Sequence, residues 1–235
     1  MVDDEADHDF NNGRDPGAYT SRHASSGFER QAELIAEGRD GRSVRSRAMI
    51  LHDAEIRSRL KDLFPEHYEV LLAEDRVQPA SLDLTVSGPL MRVGAPGLGD
   101  EPIRPGTDEP REVPYTGDRR WVLRPGILYL LSTREKVAVP ANLVGRLDGR
   151  SSWARVGLRV HATAGFLDPG FIGRITLELD VVGSPIELRE GDSICQVSFH
   201  VLTGKAEFPY GTKGSKYQNQ DGVTASRSLD SGNSR

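Results

Sequence analysis

Cysteine is nearly missing from this chain: Cys195 is alone among 235 residues. No disulfide can form within the chain, and one thiol cannot supply the cysteine pair of a common zinc site. A reducing, cytoplasmic setting is the expectation. Long apolar runs are also missing. Ile127-Leu128-Tyr129-Leu130-Leu131 is strand-sized, too short to cross a membrane. The first residues, Met1-Val2-Asp3-Asp4-Glu5, are acidic and lack an apolar stretch, so they do not read as a signal peptide. Positive charge is not in excess either. A formal net charge of −5 argues against a surface that coats nucleic acid, while leaving room for a local basic pocket. Hydrophobic residues make up only 37% of the chain and charged ones 28%, which fits a folded core diluted by polar tails.

The pattern divides the chain into three parts. Residues 1–48 are polar and mixed in charge, with Phe10, Tyr19 and Phe28 as their aromatics, and read as a disordered extension. A short helix around Glu29–Glu37 is the alternative there. Residues 49–202 carry the fold. Asp53 is placed to cap a helix through Ile56, Leu60 and Leu63 that ends before Pro65. Leu82, Leu84 and Val86 alternate as in a strand. Residues 94–118 are dense in Gly, Pro, Asp and Glu and read as a long surface loop. Short β-like runs follow at Trp121–Leu123, Ile127–Leu131, Lys136–Val139, Leu143–Leu147, Leu158–Ala162, Arg174–Val181, Ile186–Leu188 and Ser193–Val201. Turn signals such as Arg124-Pro125-Gly126 and Asp168-Pro169-Gly170 separate them. This predicts an all-β sandwich or jelly roll with one N-terminal helix and polar tails. Residues 203–235 lose the alternation and form the C-terminal tail.

Five segments carry chemistry. In Gly149-Arg150-Ser151-Ser152, with Arg155 one helical turn beyond Ser151, a guanidinium and two hydroxyls suit phosphate oxygens. An ordinary helix start with a solvated arginine fits the same residues. Asp168, before Pro169-Gly170, can accept a sugar hydroxyl or bond its own turn. His161 sits in an alternating stretch, where a lone histidine is commonly a satisfied core or interface residue. Thr163 and Ala164 offer main-chain carbonyls. Ile175, Leu177 and Leu179 form one face of a strand, Thr176 and Glu178 the other. If partly buried, Glu178 would have its pKa raised toward that of a general base; the residues alone favour a solvent-facing glutamate on an outer strand. Gln196 can meet a phosphate or bond within the sheet, and Cys195 reads as a small buried hydrophobe. The tail offers Tyr210, Lys216, Tyr217, Gln220 and Arg227, which can fold over an anion or fray.

Five separated segments resemble the dCTP deaminase family of the deoxyuridine triphosphatase-like superfamily. They are Gln78-Pro79-Ala80-Ser81-Leu82-Asp83-Leu84, Gly-Arg-Ser-Ser-x-x-Arg, Thr-Ala-Gly-Phe-x-Asp-Pro-Gly, Thr-Leu-Glu and Lys-Tyr-x-x-Gln, and they cover residues 49 to 228. The resemblance implies a distorted jelly-roll subunit in a homotrimer with active sites between subunits. It implies that dCTP binds as its Mg²⁺ complex, with dUTP and ammonia as products and dTTP as an inhibitor. Dephosphorylation onward to dUMP and diphosphate is the alternative, favoured by Thr163-Ala164-Gly165-Phe166-Leu167-Asp168. A dUTP diphosphatase or a nucleotide-binding trimer without catalysis is a further alternative. By position, Glu178 matches the general base. Ser151 and Arg155 match groups that organise the water and the leaving ammonia, and Ala164 a backbone that holds base and water. Arg150, Ser151, Ser152, Gln196, Tyr210, Lys216 and Gln220 match triphosphate or tail contacts, Asp168 the 3′-hydroxyl partner. Thr176 and Leu177 join Glu178 in the substrate-binding set. Trp153 departs from the leucine often found there, a change in packing. Zinc deaminases use an H-x-E…P-C-x-x-C arrangement; His161-Ala162-Thr163 lacks its glutamate, so water activation without zinc is expected.

Overall fold

The computed structural model describes residues 50–94, 109–161, 163–212 and 214–227. The expected N-terminal extension, its alternative helix and the middle of the loop read over 94–118 lie outside the described residues.

Helix α1 (Asp53–Leu63) places Ile56, Leu60 and Leu63 on one buried face. Asp53 and Glu55 sit at its positive end and Lys61 at its negative end, complementing the helix dipole. The expected cap is corrected. His52 is the N-cap, without a side-chain cap bond, and Asp53 is the first helical residue. The Asp53 amide instead donates to the Pro79 carbonyl at 2.9 Å, so a neighbouring segment satisfies it. A second helix, α2 (Tyr68–Ala73), follows Pro65 and buries Leu71.

The strands are β1 (Leu82–Arg92), β2 (Arg111–Val113), β3 (Arg120–Leu123), β4 (Tyr129–Ala138) and β5 (Leu143–Gly149). After a four-residue helix α3 (Ser151–Ala154) come β6 (Leu158–Val160), β7 (Phe166–Leu167), β8 (Ile172–Val181), β9 (Ile186–Arg189) and β10 (Ser193–Val201). The main sheet is antiparallel in the order β6-β8-β4-β1-β10-β5-β7, with β2 also on β1; β3 and β9 form a separate pair. Strand β1 joins two lobes. Leu82–Thr85 pairs with β10, and beyond a bulge at Leu84/Thr85 Val86–Arg92 pairs with β4 and β2. The result is a curled, mostly β fold of the jelly-roll type, as the alternating runs predict.

Two expectations change in detail. The runs 127–131 and 136–139 lie mostly on one strand, β4, whose register against β8 shifts between Ser132 and Lys136. Its polar middle is buried and internally satisfied: Thr85 donates to Glu135 through its amide at 2.9 Å and its hydroxyl at 2.6 Å. Burial pushes the Glu135 carboxyl above its ordinary range, partly offset by those bonds. Within 94–118, Arg111–Val113 is a strand on the edge of β1.

The core gathers Phe64, Leu84, Trp121, Leu131, Leu177 and Phe199, among others, between sheet and α1. Cys195 is among them, its thiol pushed well up by burial.

Candidate functional site

Strand β8 builds the site. Its period-two alternation sinks Ile175, Leu177, Leu179 and Val181 into the core. Thr176 and Glu178 therefore fall on the opposite face, where they line a cleft of about 750 Å³. That volume is typical of a small-molecule site. Leu177, expected beside the substrate, is fully buried, so its side chain belongs to the core. The Glu178 side chain is 37% exposed, half in solvent and half in the cleft wall.

Asp168, on the turn after β7, lines the same cleft. The turn bond is made by its carbonyl, which accepts from the Phe171 amide at 3.0 Å; among the described residues no donor engages its carboxylate. Thr163, Ala164 and the exposed ring of Phe166 complete this wall. His161 was not expected here. It enters because residue 161 leaves β6 in the left-handed region, φ 56, which turns the chain into the 163–165 segment. Its Nε2 meets the Ala164 carbonyl at 2.7 Å, and its Nδ1 lies 4.0 Å from Glu178 Oε2. Histidine is among the few non-glycine residues enriched in that region, but a single histidine does not mark a turn in the sequence.

The tail forms the opposite rim. Its contacts advance along β8 in step with the strand: the Asn219 amide donates to Ile172, Gln220 accepts from the Arg174 amide, and the Thr224 amide donates to Thr176 Oγ1. Arg174 Nε also pairs with Asp221 at 2.8 Å. Tyr210 packs edge-on against Phe171, ring centroids 5.8 Å apart, and its hydroxyl accepts from the Tyr217 amide. Gln220 donates through Nε2 to the Arg174 carbonyl at 2.6 Å. Tyr210, Tyr217 and Gln220 thus reach the cleft, whereas Lys216 is not part of its lining. The tail is able to pass this close because two glycines receive it. A Cβ on Gly170 would stand 2.7 Å from the Pro209 Cβ, and one on Gly173 would stand 3.0 Å from the Gln220 carbonyl oxygen.

The Gly-Arg-Ser-Ser segment lies elsewhere. Arg150, Ser151, Ser152, Arg155 and Gln196 are all absent from the lining of the Glu178 cleft. Arg150 is held by buried Asp83 (Nη2–Oδ2 3.2 Å) and donates through Nη1 to the Ser193 carbonyl. Burial raises the Asp83 carboxyl, with Arg150 and Arg76 pulling it back. Trp153 Nε1 donates to the same Ser193 carbonyl at 2.9 Å, a packing role. Gln196 accepts from Ser81, the residue before β1, at 2.8 Å. Ser151, Ser152 and Arg155 are exposed, and among the described residues nothing engages their hydroxyls or guanidinium. Arg155 borders a second hollow with Gly157, Val182 and Gly183. One chain therefore shows two faces: a carboxylate-bearing cleft, and a separate surface of unengaged phosphate-type donors. Among the described residues no group of three or more His, Cys, Asp or Glu converges to hold a metal ion. No helix among them is long and apolar enough to cross a membrane.

Residues 50–202 match the family model described as dCTP deaminase-like. A protein of Dictyoglomus thermophilum named "dCTP deaminase, dUMP-forming" is 42% identical over 185 residues, which is 76% of this chain and 94% of that one. A protein of Halobacterium salinarum with the same name is 44% identical over 191 residues, with the same shares covered. One of Natronomonas pharaonis named "dCTP deaminase" is 42% identical over 190 residues, again covering 76% and 94%. Among solved structures, a 2′-deoxycytidine 5′-triphosphate deaminase from Agrobacterium tumefaciens superposes with a TM-score of 0.51 at 24% identity. That alignment covers 66% of this chain and 48% of the solved one, so this chain spans about half its length, and the likeness bears on the fold alone.

Proposed function

The chain belongs to the dCTP deaminase-like family, and from that premise we propose that it converts dCTP, as its Mg²⁺ complex, to dUMP, diphosphate and ammonia. The observation that carries the reading is Glu178, raised from β8 into a nucleotide-sized cleft beside Asp168 and under the tail. The dUMP product, rather than the dUTP first expected, is supported by the names of the relatives from Dictyoglomus and Halobacterium.

In this mechanism Glu178 takes a proton from water as the water oxygen bonds to C4 of the cytosine. Glu178 then returns that proton to the exocyclic nitrogen, which leaves as ammonia. A second water cleaves the bond between the α- and β-phosphates. Asp168 receives the 3′-hydroxyl, and the main chain at Ala164 holds the base. Mg²⁺ enters with the triphosphate, whose charge it neutralises. Arg150, Ser151, Ser152 and Arg155 supply the positive and hydroxyl lining for charge that develops during attack. They are not part of their own chain's cleft lining, so a second copy of the chain completes the site. A head-to-tail contact of this kind gives a closed ring where its rotation closes, and a homotrimer is the ring we propose. Tyr210, Lys216 and Gln220 act from the tail.

The test is incubation with dCTP, with and without Mg²⁺, and chromatography of every product, alongside light scattering for mass. Appearance of dUMP with diphosphate and ammonia supports the reading. Accumulation of dUTP alone favours the single-step deaminase, the name carried by the Natronomonas relative.

A further inference from the structure

His161 has a clear structural duty on one side and an unexplained atom on the other. A carbonyl oxygen only accepts hydrogen bonds, so the 2.7 Å contact with Ala164 requires the proton on Nε2. In the neutral ring Nδ1 is then an acceptor. It is buried and has no hydrogen-bond partner, and the group it lies beside is the Glu178 carboxylate, 4.0 Å away. An ionised carboxylate is also only an acceptor. The two atoms have nothing to exchange until a proton arrives between them. Deamination supplies that proton when Glu178 takes it from water.

We infer that His161 is a positioning residue that accepts a hydrogen bond from Glu178 in its protonated state. The inference rests on the reading of Glu178 as the base. The water proton moves to Glu178 Oε2, its O–H donates to His161 Nδ1, and the same proton then leaves with the exocyclic nitrogen. No proton is gained or lost by the pair over the cycle. The ring is fixed for this duty. Its side chain is 7% exposed, its own amide donates to the Glu178 carbonyl at 2.8 Å, and Nε2 is anchored on Ala164. The left-handed backbone at residue 161, a conformation that strains most side chains, places both contacts at once. With the ring neutral, a buried acceptor left unpaired costs free energy, and an O–H on Glu178 relieves that cost. The other titratable groups lining the cleft are Asp180 on β8, Arg159 on β6, Asp168 on the turn, and Tyr210 and Tyr217 from the tail. Arg159 and Asp180 pair with each other at 3.3 Å.

The experiment compares His161→Gly, which adopts the left-handed backbone freely, with His161→Asn and Glu178→Gln in the full chain. For His161→Gly we expect kcat for dCTP to fall about 10- to 100-fold with KM moving less than about threefold, the pattern of lost geometry rather than lost binding. His161→Asn, whose Oδ1 can accept where Nδ1 did, should recover part of kcat. A normal kcat in His161→Gly overturns the inference, as does a rise in KM alone. Glu178→Gln separates the two readings: if it turns over normally, the base assignment has failed, whereas loss there with a normal His161→Gly overturns only the role of His161. Should the His161 variants not fold, ¹⁵N resonances of the unsubstituted protein decide. The Nε2–H tautomer with bare Nδ1 is expected, and the opposite tautomer overturns the inference.

Discussion

Gly170→Ala should loosen the tail by an amount that can be worked out. Gly170 has φ 91, where an L side chain is strained by about 1–2 kcal/mol. The new Cβ would also stand 2.7 Å from the Pro209 Cβ, 2.8 Å from the Tyr210 oxygen and 2.9 Å from the Tyr210 nitrogen. Two of these three are backbone atoms, so rotation of a side chain gives no relief. The tail must retreat by roughly an ångström to reach ordinary contact distance. That movement weakens the Tyr210 amide bond to the Pro169 carbonyl, 2.7 Å, and the Gln218 bond to Gly170, 2.9 Å. One lost hydrogen bond adds about 1 kcal/mol. The total of about 2–3 kcal/mol corresponds to a Tm drop of about 4–12 °C at this chain length. Gly183→Ala is the control, because Gly183 has the same φ of 91 and nothing within 4 Å of its would-be Cβ. It bears the strain without the collision. Hydrogen exchange at the Tyr210 amide and calorimetry of both variants make the measurement. If the two lose equal stability and Tyr210 exchange is unchanged in Gly170→Ala, the tail is not held by this close approach.

Three further outcomes are expected. Glu178→Gln should keep its melting temperature and dCTP affinity while losing about 10²-fold or more in turnover, as read by ammonia release, because shape survives and the base does not. Leu177→Ala should cost about 2–5 kcal/mol of stability in denaturant titration with KM nearly unchanged, because the side chain is core rather than cleft. Glu135 has its folded pKa raised by burial, so its favourable contribution is complete below the unfolded carboxyl pKa and is lost as pH rises through the folded value. Glu135→Gln should therefore gain stability relative to the unsubstituted protein as pH rises above the ordinary carboxyl range; a pH-independent difference in melting temperature would count against it.

Strands such as β8 and β10 were legible because each buries one face, leaving a period of two in the residues. The same rule concealed β4. Ser132, Thr133 and Glu135 are polar but buried, and their partners come from β1 and from the strand's own backbone, so no local pattern announces them. Strand β2 has two exposed charged residues, Arg111 and Glu112, and owes its existence to the free edge of β1. At the site, Glu178 and Asp168 were singled out by the resemblance, since residue type alone suits a solvent-facing glutamate and a turn aspartate. His161 was not placed there, since its position depends on a backbone turn that one residue type does not announce. Gln196 was an open choice, and the partner that occupies it, Ser81, is distant in sequence.

The separation of the Glu178 cleft from the Arg150–Arg155 surface has a genetic consequence on the proposed ring assembly. An allele damaged at Glu178 and another damaged at Arg155 each encode a chain with one sound face. Expressed alone, either gives rings in which every junction carries a lesion. Expressed together, each mixed ring contains a junction where the sound cleft of one chain meets the sound donor surface of the next. Two inactive alleles should then complement each other, whereas two alleles damaged on the same face should not.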